Sequence, residues 1–394
     1  MEKLKVAVLG LRRGRTHLRN LLNIEEAEVI GAADRHPQWR REAEELVAST
    51  APEANVKIVP EFDELLAMRP EAVHVAANGR QQAECSCRAM EAGCHVLSEV
   101  PGAYTKQEWV RLRDTVRRTG MTYMLGENSC FMDFLRYWRK WLLAGRFGPV
   151  SIAEGEYVHY LPKMMQAPDG SYLTPTEVKA QGRTDCRPSW RADQPPIQYL
   201  THDLGPLLEV LGDRCSSVTC RSAPWRCPDT PLRSDGQIAV FETAGGTLIR
   251  ILVTLSTKRP GGHRYRLFGV EGGAEWFAYE GRCRLADRDR KEEDGWEWVD
   301  LGRAGSQDDP TAGHGGTDLK TTRAFVEAVL DGRDAPIDVY RAIEYSLPGI
   351  IANQSAETGG APLAIPDLRA EPYSDTTFWD AVGLPESEPP RLPS

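Results

Sequence analysis

Short apolar runs and helical runs alternate through the first part of this chain, and this alternation constrains the fold more than any other feature. "LKVAVLG" at 4–10 is typical of a buried strand, and "RTHLRNLLNIEE" after it repeats leucine at helical spacing. "AEVIGAAD" returns to a strand that ends at Asp34, and the same order continues through "EAVHVAAN" and "CHVLSE". Strands that alternate with helices pair in parallel, so residues 1–127 are predicted to form an α/β domain with a doubly wound parallel sheet.

The pattern changes after Gly148, where longer strand-like runs are joined by glycine-rich turns. "VSIAEGEYVHY", "GQIAVFETAGGTLIRILVTLST" and "HRYRLFGVEGGAEWFAY" are examples. Such runs favour an open-faced, mostly antiparallel sheet, so we expect an α+β domain over 128–368 and a Pro-rich C-terminal tail at 369–394. Residues 161–197 are rich in Pro, Gly, Arg and Trp and show no steady period. Long loops in compact domains are usually functional, so this one is predicted to cover an active site.

Charge and cysteine content exclude several classes of function. The 394 residues include 57 Asp and Glu against 48 Lys and Arg, a net charge of -9, so nucleic acid is not expected as a partner. The sequence has no apolar run long enough to span a membrane, and it begins with a strand-like run, so we expect a cytoplasmic protein without membrane partners. The cysteines are scattered, and Cys85-x-Cys87 has no histidine at ligand spacing, so no metal site is predicted.

The junction of the first strand and the first helix indicates a dinucleotide site. It reads "GLRRG" at 10–14, and glycines there let backbone amides at the helix start approach a pyrophosphate. Asp34, at the end of the second strand, would accept hydrogen bonds from the adenosine ribose, which favours NAD over NADP. Arg12 stands where the motif normally has glycine, and Arg35 leaves room for a 2′-phosphate. The predicted cofactor-binding residues of this region are Gly10, Arg12, Arg13, Gly14, Asp34 and Arg35.

Several segments in chain order resemble the glucose-fructose oxidoreductase, inositol dehydrogenase and rhizopine catabolism (Gfo/Idh/MocA) family. They are "GLRRGRTHLRN", "AADRHP", "EAVHVAAN", "MEAGCHVLSEVPGA" and "YLTHDL". The resemblance implies a Rossmann domain joined to a sheet domain, with a sugar or polyol held against nicotinamide. It implies a homodimer or homotetramer formed through the open sheet. It also implies that Asn78, Glu99, Pro101 and Asn128 belong to the cofactor site.

Two departures from the dehydrogenases of that family narrow the resemblance. Those enzymes usually carry Glu-Lys-Pro and a later Asp-x-x-x-His, whereas this sequence has "EVP" at 99–101 and "QYLTH" at 198–202. Both departures, together with "GEYVH" at 155–159 and "GHGG" at 313–316, resemble the NAD-dependent glycosidases of glycoside hydrolase family 109. This narrower resemblance implies an NAD that stays tightly bound and is recycled.

The narrower resemblance also implies a reaction without net redox change. C3 of a pyranoside is oxidised by NAD, loss of the C2 proton expels the aglycone, water adds to C1, and the ketone is reduced again. The resemblance places His202 at the position of the family's acid/base histidine, and histidine titrates near neutral pH, so His202 is the predicted base for the C3 hydroxyl. Tyr199 and Tyr157 are candidates for taking the C2 proton or for holding the substrate, although a tyrosine with an ordinary pKa of about 10 needs a positive neighbour for the first role. His314 is a predicted substrate contact or proton donor to the leaving group.

The other predicted substrate contacts lie in the same motifs and in the long loop. They are Glu127, His159, Arg183, Trp190, Arg191 and Gly313. Arginine can bind hydroxyl groups through paired hydrogen bonds, and tryptophan can stack on a sugar. The alternation of Tyr157 and His159 also fits a packed strand face, and solvated loop charges also account for the arginines. At the end of "TAGHGGTD" (311–318), Asp318 is expected to be a helix N-cap or a first-turn carboxylate.

Two other functions stay open. One is an NAD(P)-dependent sugar or polyol dehydrogenase or ketoreductase of the wider family, and the other is a catalytically silent protein that senses a sugar or NAD. Val100 in place of lysine and the presence of "TAGHGGTD" favour the glycosidase over the dehydrogenase. His202 favours an enzyme over the silent protein.

Overall fold

The computed structural model of the chain divides into two compact units. The first comprises Met1–Asn128 and Gln307–Ile343, and the second comprises Ser129–Ser306 and Glu344–Ser394. The structure describes residues 3–258, 261–277, 282–289, 295–301, 313–369 and 377–390. The predicted second domain at 128–368 differs from this division, because the segment with the "GHGG" turn belongs to the first unit. The first two residues of "TAGHGGTD" lie outside the described residues.

The first unit is built on a parallel sheet. Its strands are β1 (Leu4–Leu9), β2 (Ala27–Ala33), β3 (Lys57–Val59), β4 (Ala72–Val75), β5 (His95–Ser98) and β6 (Tyr123–Leu125). Within the described residues they form a six-stranded sheet in the order β3-β2-β1-β4-β5-β6. The strand order reverses between β1 and β4, and ligands of such sheets bind at the carboxyl ends of strands beside that reversal. The doubly wound parallel sheet is confirmed.

Helices cover this sheet and follow local sequence signals. They are α1 (Gly14–Leu22), α2 (Pro37–Thr50), α3 (Phe62–Ala67), α4 (Gln82–Glu91) and α5 (Lys106–Thr119). The central strand β1 is buried along most of its length, as expected for a strand covered on both faces. Thr105 and Glu108 form a capping box at the start of α5, and Gly120 ends that helix in the left-handed conformation.

The second unit is built on a larger sheet. Its strands are β7 (Val150–Val158), β11 (Cys215–Ser222), β12 (Gly236–Thr243), β13 (Leu248–Thr254), β14 (Gly262–Gly269), β15 (Gly273–Phe277), β16 (Arg282–Ala286), β17 (Glu297–Val299) and β18 (Leu363–Ala364). In the described part of the chain they form a nine-stranded sheet in the order β17-β16-β15-β14-β7-β13-β12-β11-β18. Only β7 and β13 pair in parallel among these neighbours, so the mostly antiparallel sheet is confirmed.

The two faces of this sheet carry different side chains. Successive strand residues point to opposite faces, and on β7 Gly155 and Tyr157 lie toward helix α9 (Thr201–Leu211). The opposite face carries ion pairs, such as Arg250 to Glu154 at 2.7 Å. It also exposes the apolar side chains of Ile152, Ile238, Val240 and Leu248. Assembly of subunits through this face stays a prediction.

Residues 161–197, expected to form a long loop, contain short regular elements. They are β8 (Met165–Gln166), β9 (Tyr172–Leu173), α7 (Pro175–Ala180), β10 (Arg187–Pro188) and α8 (Trp190–Asp193). β8 pairs antiparallel with both β9 and β10. Thr174 and Glu177 form a capping box for α7. Strands of two residues are too short to produce a periodic pattern, so the sequence did not reveal them.

The remaining helices are α6 (Asp133–Leu143), α10 (Thr317–Asp331), α11 (Val339–Glu357) and α12 (Thr377–Val382). α10 packs against α1 in the first unit. α12 lies in the stretch predicted to be a Pro-rich tail, where the indole of Trp379 is buried and donates to the Glu209 carbonyl at 3.0 Å. Residues 370–376 and 391–394 of that tail lie outside the described residues. Among the described helices, none is both long and apolar enough to cross a membrane.

Candidate functional site

Two positions where β1 joins α1 have no space for a side chain. Gly10 has a φ of +87°, and a Cβ there would lie 2.1 Å from the carbonyl oxygen of Ala76. A Cβ at Gly14, the first residue of α1, would lie 2.9 Å from Cγ1 of Val8. Both positions therefore require glycine, and the helix start is left as bare backbone. Such a turn fits the pyrophosphate of a dinucleotide, whose negative charge is stabilised by helix N-terminal amides.

Asp34 lies at the end of β2 and is fixed beside this turn. Its carboxylate accepts hydrogen bonds from the Leu11 amide at 2.7 Å and from the His36 amide at 2.8 Å. An ionised carboxylate has about four acceptor sites, so further sites remain for ribose hydroxyl groups. Arg35, whose side chain is 74% exposed, lies 3.3 Å from a carboxylate oxygen of Glu61. The residues present at this end of the sheet therefore fit a nicotinamide dinucleotide.

The other predicted cofactor residues lie after β4, β5 and β6. Asn78 starts a 3₁₀ turn, Gly79–Gln81, and its side chain accepts from the Arg80 amide at 3.1 Å. Glu99 directly follows β5, and Pro101 follows Val100 across a cis peptide bond. Arg12 is exposed. The strand ends therefore carry these residues at one edge of the sheet.

A cluster of fixed charges, here called the carboxylate cluster, comprises Arg13, His17, Glu99, His314 and Asp318. The Arg13 guanidinium donates to both oxygens of Asp318 at 2.8 and 2.9 Å, and its Nε lies 3.1 Å from Glu99 Oε1. The His314 Nδ1 lies 3.0 Å from Asp318 Oδ2. The Asn128 amide donates to Asp318 Oδ1 at 2.7 Å. Three residues predicted for cofactor binding or catalysis, Arg13, Asn128 and His314, thus meet at Asp318.

The expectation that Asp318 is an N-cap is wrong. The cap of α10 is Gly316 in the left-handed conformation, without a side-chain capping hydrogen bond. Asp318 is in the first helical turn, as the alternative expectation had it, but its side chain is fully buried against Arg13. Local reasoning missed this role because Arg13 lies far away in the sequence.

The "GHGG" turn is shaped to pass around this buried carboxylate. Gly313 has a φ of +85°, and a Cβ there would lie 2.2 Å from Asp318 Oδ2. His314 itself has a φ of +44°, a conformation that is uncommon outside glycine. The His314 side chain is 61% exposed although its Nδ1 contacts Asp318. The glycines therefore let the chain approach Asp318 closely while one face of the imidazole stays accessible.

Both carboxylates of the cluster are ionised at neutral pH. Burial raises the pKa of Glu99, but the charge of Arg13 and the contact with His17 outweigh it and lower that pKa to about 2. Burial also raises the pKa of Asp318, and hydrogen bonds from His314 and Arg13 bring it far below its usual range. These groups are counter-charges rather than proton donors at neutral pH.

His17 was not predicted as a site residue. The Thr322 hydroxyl donates to the Asp318 carbonyl at 2.7 Å, so its oxygen accepts from His17 Nδ1 at 2.9 Å. The other ring nitrogen lies 2.7 Å from the ionised Glu99. No local sequence pattern connects His17 with Thr322, which lies 305 positions later in the chain.

His17, His74 and Glu99 are also the described residues whose spacing could suit a metal ion, with ligand atoms within 4.8 Å of one another. The His17 ring nitrogen 2.7 Å from a Glu99 oxygen and the Arg13 guanidinium 3.1 Å from the same oxygen already occupy this carboxylate. Burial and the charge of His17 hold the pKa of His74 well below its usual value, and its ring stacks on His17 at 4.1 Å. This arrangement is explained without a metal, and the expectation of no metal site stays a prediction.

A second cluster, here called the aromatic cluster, lies in the second unit and comprises Tyr157, His159, Tyr199, His202 and His263. The Tyr157 ring stacks on His202 with centroids 5.4 Å apart and contacts His159 at 4.1 Å and His263 at 5.0 Å. Tyr199, at the end of a 3₁₀ turn, has its centroid 5.7 Å from that of Tyr157. The structure therefore joins three predicted catalytic residues and one predicted substrate contact in a single group.

Arg191 and Trp190 contact this cluster at Tyr199. The Arg191 Nε donates a short hydrogen bond to the Tyr199 hydroxyl. Its guanidinium lies 5.6 Å from the centroid of the Tyr199 ring and 5.0 Å from that of Trp190. The pKa of Arg191 is raised, chiefly by its electrostatic interaction with Tyr199, which outweighs the lowering by burial. Tyr199 therefore has the positive neighbour that a tyrosine base requires.

Neither His263, a member of this cluster, nor its partner Asp203 was predicted. His263 lies directly opposite Tyr157 in the pairing of β14 with β7. Its Nδ1 is 3.0 Å from Asp203 Oδ1, and the Asp203 side chain is fully buried. A Cβ at Gly155 would lie 2.8 Å from the Asp203 Cβ, so the glycine of "GEYVH" lets α9 approach β7. Finding His263 from sequence requires the register of two strands far apart in the chain.

The remaining predicted residues lie elsewhere. Arg183 is held by loop acids, donating to both oxygens of Asp185 at 2.9 and 2.8 Å. Glu127 is fully buried in the first unit, which also contains Gly313 and His314. His202 has its Nδ1 3.5 Å from the Ser129 hydroxyl. The predicted substrate contacts are therefore divided between the two units.

Comparison with known proteins agrees with this two-part construction. Residues 4–127 match the Gfo/Idh/MocA model, described as oxidoreductase family, NAD-binding Rossmann fold, and residues 233–374 match glycosyl hydrolase 109, C-terminal domain. A glycosyl hydrolase family 109 protein of Porphyromonas gingivalis is 24% identical, with 93% of this chain and 85% of that protein aligned.

Solved structures share the fold at lower identity. Levoglucosan dehydrogenase in complex with NADH and levoglucosan superposes with a TM-score of 0.75 at 17% identity, covering 93% of this chain and 100% of that one. An inositol dehydrogenase homologue from Azotobacter vinelandii, complexed with NADH and myo-inositol, gives 0.69 at 18% identity, covering 92% and 98%. The chain is an enzyme whose residues 4–127 match the Gfo/Idh/MocA oxidoreductase family and whose residues 233–374 match the C-terminal domain of glycosyl hydrolase family 109.

Proposed function

We propose that this enzyme is an NAD-dependent glycosidase that oxidises C3 of a pyranoside, eliminates the aglycone, adds water and restores the alcohol. The observation that carries the proposal is the pairing of Arg191 with Tyr199 in the cluster that also contains His202. A plain dehydrogenase needs one base, for the hydroxyl proton. Elimination needs a second base, for the C2 proton, and a charge-supported tyrosine fits that need.

The proposed cofactor is NAD, tightly bound and recycled. Bound nicotinamide would supply the oxidation at C3 and its reversal. The bare turn at Gly10 and Gly14 would hold the pyrophosphate, and Asp34 would hold the adenosine ribose. Arg35 pairs with Glu61, so it is not poised for a 2′-phosphate, which disfavours NADP.

The chain's own residues would move the protons. His202 takes the proton of the C3 hydroxyl and returns it when the alcohol is restored. Tyr199, as a phenolate stabilised by the Arg191 charge, takes the proton from C2, which the neighbouring ketone has acidified. Tyr157 holds the sugar against these two groups, since its ring contacts both. Trp190, stacked on Tyr199 at 6.5 Å, would offer an apolar face to the sugar ring.

The levoglucosan and inositol dehydrogenases that share this fold support a carbohydrate or polyol substrate, and they keep the dehydrogenase as second candidate. The two functions separate in one assay. The purified enzyme is offered nitrophenyl glycosides of several sugars while released phenol and NADH absorbance are followed together. We expect phenol release without lasting NADH. Stoichiometric NADH from an unsubstituted sugar, without phenol release from any glycoside, would establish the dehydrogenase instead.

His314 is proposed as a substrate contact from the first unit. Its exposed ring is oriented by Asp318, which supports a role in binding. His314→Ala is expected to raise KM for the best glycoside at least tenfold. A variant that keeps full turnover and an unchanged KM would contradict the substrate contact. The "GHGG" turn would then have only the structural role of passing around Asp318.

A further inference from the structure

We infer that His263, oriented by Asp203, is a further catalytic residue that exchanges a proton with the leaving oxygen at C1. The inference rests on the proposed glycosidase function and adds the group that this reaction needs at its third position. His202 and Tyr199 serve C3 and C2, so neither can also protonate the departing aglycone. His263 lies in the same cluster, with its centroid 6.2 Å from that of His202 and 5.6 Å from that of His159.

The hydrogen bonds of His263 fix which nitrogen reaches the substrate. Its polar partners in the described part of the chain, Asp203 and Tyr265, both lie at Nδ1, at 3.0 and 3.5 Å. The Tyr265 hydroxyl donates to the His202 carbonyl at 2.6 Å, so it can act only as an acceptor toward Nδ1. Nδ1 therefore carries hydrogen, and Nε2 is the nitrogen that gains and loses a proton.

Burial of Asp203 explains why the pair is kept together. The Asp203 side chain has no exposed surface, whereas the His263 side chain is 18% exposed. A buried carboxylate needs a positive or donating partner, and here it also supplies the counter-charge when the ring is protonated. Asp203 acts through His263 and is a positioning residue. Gly155 permits the close approach that places it there.

The proton balance closes with this assignment. During elimination the C2 proton moves to Tyr199, the C1–O bond breaks, and the leaving oxygen takes the proton from Nε2 of His263. During hydration a water molecule gives its proton to Nε2, its oxygen bonds to C1, and Tyr199 returns its proton to C2. The ring nitrogen ends in its starting state, and no additional reactant is consumed.

The test varies the leaving group on one sugar. Wild type, His263→Gln and Asp203→Asn are compared on a nitrophenyl glycoside and on an alkyl glycoside, whose poor leaving group needs protonation. Glutamine can still donate to Asp203, which protects the fold. Because general acid catalysis typically contributes about 10²–10⁴-fold, His263→Gln should lose about 100-fold or more in kcat/KM on the alkyl glycoside and only a few-fold on the nitrophenyl one. Asp203→Asn should show the same selective loss, about tenfold.

Arg264→Gln is the matched control, because Arg264 is the next residue on β14, points to the opposite face and pairs with Glu275. It should leave both rates unchanged. Equal losses of His263→Gln on both glycosides, or no loss on either, would overturn the inference. If His263→Gln fails to fold, the test uses Asp203→Asn, which should lose more activity on the alkyl glycoside than on the nitrophenyl one. Wild-type enzyme that releases no aglycone from any glycoside would instead refute the glycosidase itself, and the His263 role with it.

Discussion

The carboxylate cluster of the first unit and the aromatic cluster of the second are built from different kinds of side chains and contacts. The first holds fixed charges in paired contacts, with both acids ionised at neutral pH. The second holds tyrosine and histidine rings, whose protons can move, around one arginine. Buried ion pairs resist disruption but transfer no protons near neutral pH. We therefore assign the first cluster to holding the fold around the cofactor turn and the second to chemistry.

The sharpest test of this assignment is Tyr199→Phe. The ring keeps its stacking on Trp190, but the Arg191 guanidinium loses an acceptor, so the free energy of unfolding should fall by about 1.5–3 kcal/mol. Turnover of the best glycoside should fall about 10²–10⁴-fold, because the proposed C2 base is gone. Tyr137→Phe, on α6 in the same unit, is the control for removal of a hydroxyl. Turnover within threefold of wild type for Tyr199→Phe would contradict the assignment of the chemistry to the aromatic cluster.

Asp318→Asn should act mainly on stability, whereas Tyr199→Phe should act mainly on turnover. It removes one member of a bidentate pair whose carboxylate is fully buried, and breaking such a pair typically costs about 3–5 kcal/mol of unfolding free energy. Urea denaturation measures the change. Asp331→Asn, on the same helix, is the control, because this 63%-exposed carboxylate forms a surface pair with Arg333 that should contribute at most about 1 kcal/mol. Similar losses in the two variants would show that the carboxylate cluster does not hold the fold.

The pH dependence of stability sharpens the same comparison. The pKa of Glu99 is about 2 in the folded chain and 4.5 as the ordinary value, so the carboxylate stabilises the fold above pH 4.5 and this stabilisation is lost as the pH falls toward 2. The shift corresponds to roughly 3 kcal/mol. Unfolding free energies measured between pH 5 and pH 2.5 should therefore fall more steeply for wild type than for Glu99→Gln. Parallel curves would mean that Arg13 and His17 do not stabilise the charge.

The two clusters also differ in how far the sequence could predict them. Strand–helix alternation indicated the parallel sheet, and the glycines of "GLRRG" indicated the turn, because both patterns are local. The motifs around Tyr157, Tyr199 and His202 predicted four members of the aromatic cluster, these three residues and His159. His263 was missed because its position depends on the register of β14 against β7. Asp318 was predicted as an N-cap or a first-turn carboxylate, and its pairing was missed because local rules describe a helix start and carry no information about a distant arginine.

A glycine pair gives the smallest and most specific test of the carboxylate cluster. Gly313 and Gly120 both have positive φ, at +85° and +69°, so alanine carries a backbone penalty of about 1 kcal/mol at either position. Only at Gly313 would the added methyl group meet Asp318, at 2.2 Å, whereas nothing lies within 4 Å at Gly120.

Gly313→Ala should therefore lower the free energy of unfolding by about 1–3 kcal/mol more than Gly120→Ala does, as overpacking against a buried group typically costs. The double variant Gly313→Ala with Asp318→Asn should lose less than the sum of the single variants, because the methyl group then crowds a contact that is already broken. Strict additivity would mean that the "GHGG" turn and the buried carboxylate are independent, and the glycines would then serve His314 alone.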